Sequence, residues 1–115
     1  MINAISVQSV EKAVASLLSR GYPTVEQTAR ALDCSPRTLQ RRLHDAGITY
    51  GDLLDQVRAQ VACRLLEDPS LHLYEIASAV GFADPSSFSR FFRRTRGVAP
   101  RELRPRRSRD RAPGV

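Results

Sequence analysis

Lysine is almost missing from this chain of 115 residues: Lys12 is the only one among 18 basic side chains, which outnumber 12 acidic ones. The net charge of +6 and the isoelectric point of 10.3 therefore rest on arginine. Guanidinium groups make paired hydrogen bonds to phosphates and to guanine edges, so the bias is compatible with a nucleic-acid partner. A solvated basic surface accounts for the charge equally well, and the motifs have to decide. Cysteine and histidine are scarce too. Cys34 and Cys63 stand at no metal-ligand spacing from each other or from His44 and His72, which excludes a disulfide framework and implies no metal or cofactor. The thiols read as small apolar side chains in a reducing compartment. No apolar run is long enough to cross a bilayer, and the opening MINAISVQSV lacks the basic-then-apolar layout of a signal peptide, so no membrane association and a cytoplasmic location are expected. Enzyme chemistry finds no support either: there is no Ser/His/Asp cluster, no carboxylate pair, no glycine-rich phosphate loop.

What remains is helix. Apolar residues are 42% of the chain and mean hydropathy is -0.32, enough for one small domain. The stretch 50–67, YGDLLDQVRAQVACRLLE, repeats apolar side chains at Tyr50, Leu53, Leu54, Val57, Val61, Ala62, Leu65 and Leu66. That is the recurrence of a helix with one buried face. Thr49 and Asp52 suit its start, and Asp68-Pro69 stops it. At the standard rise it forms a rod of roughly 27 Å.

Similar patterns flank the rod on either side. Residues 8–20 predict a first amphipathic helix, broken by Gly21 and Pro23. Thr24 and Gln27 form a capping box for a two-turn helix to Leu32. After a tight turn at Asp33-Cys34, Ser35-Pro36 opens another helix, PRTLQRRLHDA, which ends at Gly47. Beyond the rod, LYEIASAV at 73–80 is again two turns, followed by Gly81, the Asp84-Pro85 start and PSSFSRFFRRTR, ending at Gly97. PRELR at 100–104 predicts a short closing helix, and the basic, proline-bearing residues 105–115 are expected to be disordered.

The two flanking segments superimpose with one inserted residue in the turn. Ala29 matches Ala77, Ala31 matches Ala79, Pro36 matches Pro85 and Arg41 matches Arg90. Two short helices joined by a tight turn, with Arg and Gln near the start of the second, read as a helix-turn-helix. Two such units in register are harder to obtain from core packing alone than one. In the first, Arg37, Gln40 and Arg41 project where base edges come within reach, arginine suiting guanine and glutamine adenine. In the second, Ser86, Ser87 and Arg90 are read as the counterparts, the short serines suiting phosphate or base equally. Arg42, Arg93, Arg94 and Arg96 are better placed for backbone phosphates.

With these motifs the chain resembles the C-terminal DNA-binding domain of the AraC/XylS transcription regulators. RTLQRRL at 37–43, Leu54-Asp55 with Arg58, EIASAVGF at 75–82, Ser86, FSRFFRR at 88–94, Gly97 and Pro100 carry the likeness. The resemblance implies an all-α fold of about seven helices over residues 1–104. Two helix-turn-helix subdomains (8–47 and 73–97) would be joined by the long helix 50–67, with a closing helix at 100–104. It also implies sequence-specific binding of promoter DNA, activation through contact with RNA polymerase, and base contacts at Arg37, Gln40, Arg41, Ser86, Ser87 and Arg90.

The chain departs from the family pattern in several places. His72 stands where a serine or threonine cap is common, Pro85 and Ser86 replace longer polar side chains, and Leu103 replaces a tyrosine. Weaker base reading by the second unit is therefore expected. Family members usually carry an effector-binding or dimerisation domain ahead of this one, so a longer parent chain is expected, with this domain monomeric. The competing reading is a helical protein-interaction module with a basic surface.

Overall fold

The computed structural model describes residues 5–104. Over these the chain forms six α-helices and two short 3-10 turns, an all-α fold without strands among the described residues. The helices are α1 (Val7–Leu17), α2 (Val25–Ala31), α3 (Pro36–Asp45), α4 (Tyr50–Leu66), α5 (Leu73–Ala79) and α6 (Pro85–Arg96). The 3-10 turns are Leu18–Arg20 and Pro100–Leu103. The expected disorder of 105–115 lies outside the described residues.

Local chemistry sets most of the ends. Ser6 and Ser9 cap α1 reciprocally, so the helix starts one residue earlier than its apolar pattern indicates. It also stops at Leu17, and the last expected turn is 3-10. Thr24 and Gln27 close the anticipated box on α2 at 3.1 and 2.9 Å. Ser35 accepts from the Thr38 N–H, Thr49 from that of Asp52 and Asp84 from that of Ser87. Each satisfies an orphan donor of a helix start. The His72 ring makes no such bond; it stacks on Tyr74 at 5.5 Å, while Glu75 reaches back to the His72 N–H at 2.7 Å. The closing segment is 3-10 and ends at Leu103. Beyond it the Arg104 guanidinium donates to the carbonyls of Asp68 and Leu71, tying the end of the fold to the loop after α4.

The central helix departs from its expected single buried face. Leu53, Leu54, Val57, Arg58, Ala59, Ala62 and Leu66 are buried, whereas Val61 and Leu65 are only half-buried. At about 100° per residue these positions wrap more than half of the cylinder. The reason is tertiary: α4 packs against α1 and also against α5, α6 and the closing turn, which approach it from different sides. Its start is pinned to the first pair, α2–α3. The Tyr50 hydroxyl donates to the Pro23 carbonyl at 2.7 Å and sits 2.7 Å from the buried Thr28 hydroxyl. Burial there holds the Tyr50 phenol above its ordinary pKa, so it stays neutral and able to donate.

Candidate nucleic-acid interface

Both helical pairs use one backbone design. Leu32 and Val80 end their helices, and the next residue is left-handed: Asp33 at φ 59° and Gly81 at φ 90°. The following N–H then turns back, Cys34 to the Ala29 carbonyl at 3.0 Å and Phe82 to that of Ala77 at 2.8 Å. This is the closure of a Schellman-type stop. Ala83 is the extra residue of the second turn, and from Pro36 and Pro85 onward the two later helices run in register.

On α3, Arg37, Gln40 and Arg41 lie at i, i+3 and i+4, hence on one face, and all three are exposed. Leu39 and Leu43 are buried on the opposite side. None of the three polar side chains has a hydrogen-bond or ion-pair partner among the described residues. They form a polar edge available to a ligand.

The second edge is built differently. Ser86 and Arg90 are exposed opposite Phe88, Phe91 and Phe92, but Ser87 is half-buried. Helical register pairs Ser87 with Thr38 and Ser89 with Gln40, so Ser87 is not the positional counterpart of Gln40. Ser87 occupies the third helical position, where its N–H meets the Asp84 carboxylate at 2.7 Å and its hydroxyl lies 3.4 Å from that group. These bonds hold the Asp84 carboxyl below its ordinary pKa. Arg90 in turn donates to the Ser87 hydroxyl at 3.4 Å.

Arg42, Arg93 and Arg96 are exposed in the last turns of α3 and α6, where cations also suit the helix dipole. Arg94 is exposed as well but leans toward α4, 4.0 Å from Asp55 and 5.8 Å from the Phe91 ring centre. An exposed pair of this kind is worth little and yields readily to a stronger anion.

Arg58 has a role that the apolar pattern of α4 does not reveal. It is 6% exposed, and its Nε donates to the Val80 carbonyl at 2.9 Å, with Nη2 3.4 Å from that of Gly81. The guanidinium lies 3.9 Å from the centre of the Phe82 ring, 5.4 Å from Phe91 and 5.2 Å from Tyr22, all within cation–π range. Burial lowers its pKa from the ordinary arginine value.

The profile of the helix-turn-helix domain family matches residues 28–106, more than half of the chain. The ornithine utilization regulator of Pseudomonas aeruginosa is 45% identical over 83 residues, which cover 72% of this chain and 24% of that protein. The transcriptional regulator VirS of Mycobacterium tuberculosis is 41% identical over 88 residues, 76% of this chain and 26% of the relative. Among solved structures, the DNA-binding domain of AdpA in complex with a target DNA superimposes with a TM-score of 0.71 at 28% identity. That alignment covers 97% of this chain and 100% of the other.

The chain belongs to the AraC/XylS family. It carries that family's all-helical DNA-binding domain, with its two helix-turn-helix pairs on one continuous helix. It spans about a quarter of the length of the curated regulators it matches. No helix among its described residues is long and apolar enough to cross a membrane.

Proposed function

We propose that this AraC/XylS domain is a cytoplasmic, sequence-specific reader of double-stranded DNA that inserts α3 and α6 into successive major grooves and regulates transcription from the bound promoter. The observation that carries the reading is the pairing in register of two outward arginine edges, Arg37/Gln40/Arg41 and Ser86/Arg90, on helices anchored to one rod. The rod, α4, is about 25 Å long at the standard rise, comparable with the 34 Å after which a groove returns to the same face. Base reading is assigned to Arg37, Gln40, Arg41, Ser86, Ser87 and Arg90, with Ser87 acting mainly by holding Arg90 in place. Phosphate attraction is assigned to Arg42, Arg93, Arg94 and Arg96, since the Ser35 and Asp84 caps already occupy donors at the recognition-helix starts.

The domain is divided into a first unit (8–47), a linker helix (50–67), a second unit (73–97) and a closing segment. It acts as a monomer on an asymmetric site, without catalysis. Any dimerisation or effector response is assigned to a separate N-terminal domain of the kind family members carry, and activation to contact with RNA polymerase.

Selection of bound duplexes from a random pool tests this reading. Recovery of a long asymmetric site with two blocks about one turn apart, bound with an affinity that falls steeply as salt rises, is the expected result. A short palindrome would transfer the recognition to a dimer. Binding that never distinguishes one sequence from another would leave the protein-interaction module as the better reading.

A further inference from the structure

The rod is not the only connection between the two readers. The 3-10 turn Leu18–Arg20, which leads out of α1, packs directly against α5. The backbone of Gly21 approaches Gly81 so closely that a Cβ on Gly81 would stand 3.6 Å from the Gly21 carbonyl oxygen and 3.5 Å from Arg58 Nη2. Arg58 fills this meeting point. Its hydrogen bonds hold the turn between α5 and α6, Phe82 and Phe91 flank it from the second unit, and Tyr22 covers it from the first.

We infer that Arg58 is a positioning residue that locks the second helix-turn-helix pair against the first through Tyr22, so that this joint, together with the central helix, sets the spacing accepted between the two DNA blocks. The inference rests on the two-groove reading above and deepens it. A pivot at the end of a single helix would let α5–α6 swing and tolerate several spacings. A guanidinium held by two carbonyls and three rings on elements from both units removes that freedom. Two linked binding modules gain most when the connection matches the span of their sites, and a stiff connection also narrows the range of spans that match.

Tyr22→Ala is the informative variant, because Tyr22 is 56% exposed and lies outside the buried core, yet supplies the first unit's side of the joint. Wild type should lose about tenfold or more in affinity when two base pairs are added to or removed from the selected spacer. Tyr22→Ala should keep wild-type affinity for each block alone but lose less than about threefold on the same spacer changes. Tyr22→Phe, which keeps the ring, should behave as wild type. Arg58→Met, which keeps an unbranched apolar stem, should match Tyr22→Ala if circular dichroism shows it folded; if it does not fold, Tyr22→Ala decides. Full wild-type spacing discrimination in Tyr22→Ala overturns the inference.

Amide nitrogen relaxation of the free protein reads the joint without DNA. The two pairs should share one rotational correlation time in wild type and diverge in Tyr22→Ala; divergence already in wild type overturns the joint. A wild type that tumbles as one body but selects no two-block site would instead refute the two-groove reading.

Discussion

The first pair, α2–α3, and the second, α5–α6, have the same backbone and opposite chemical emphasis. The first has a small aliphatic core, Ala29 with Leu39 and Leu43, and places three long polar side chains on its outer edge. The second has an aromatic core in which Phe82, Phe88, Phe91 and Phe92 meet at ring distances of 4.9 to 5.8 Å. Its outer edge is shorter, and part of it serves the helix cap. At one register position the first pair has the exposed Arg42 and the second the buried Phe91, which packs over Arg58. One frame can thus be weighted toward contact with a ligand or toward anchorage to the rest of the domain. Here the first pair exposes the longer polar edge and the second buries the larger aromatic core.

That contrast can be broken most forcefully in the cores. Phe88→Ala should cost about 3–5 kcal/mol in urea unfolding, at the upper end of what Leu39→Ala costs, because a larger side chain leaves a larger void. Equal losses would remove the difference in anchorage. At the edges, Arg41→Ala should cost about 1–3 kcal/mol at one base position and relax preference there, with Arg90→Ala costing less. Binding titrations on single-base variants of the selected site decide this; a loss equal on every sequence would make Arg41 a phosphate contact.

The turns offer a smaller contrast. Gly81→Ala should destabilise by about 1–2 kcal/mol, since an alanine at positive φ is strained, whereas Asp33→Gly should change stability by less than that, aspartate being tolerant of this region. Thermal unfolding of the two variants tests whether the turns are equivalent. At the caps, His72→Ser should stabilise the protein by about 0.5–1 kcal/mol, by supplying the bond that Thr24 already makes in the first pair.

The smallest expected effect is a response to acid. The Asp84 carboxyl is held below its ordinary value of 3.8 by the Ser87 N–H, so the contribution of this cap is present above that value and lost as pH falls through the lowered one. Ser35, its counterpart on α3, does not titrate. Amide protection at the start of α6, taken relative to the intrinsic exchange rate, should therefore fall in acid before that of α3.

Much of this domain was legible in its sequence because helix ends are local. Thr24 with Gln27, Ser35-Pro36, Asp84-Pro85 and the glycines after each pair act within a few residues of themselves, and they stand where the spacing places them. The Ser6–Ser9 cap shifted α1 by one residue because the apolar pattern has no signal there. The outward edge of α3 followed from i, i+3, i+4 spacing alone. Ser87 was misassigned as a direct base reader although the Pro36/Pro85 match already pairs it with Thr38, and the structure shows it bonded to the Asp84 cap.

By itself, then, the sequence determined the helices, their order, the repeat and the outward edge of α3, all consequences of short-range periodicity and capping. The tertiary structure decided what those elements do to one another. It buried the central helix on several sides, and it placed a charged residue, Arg58, among rings and carbonyls contributed by segments as far apart in the chain as Tyr22 and Phe91. No pattern along a single helix encodes that placement. The desolvation of Arg58 is offset by partners that only long-range packing brings within reach.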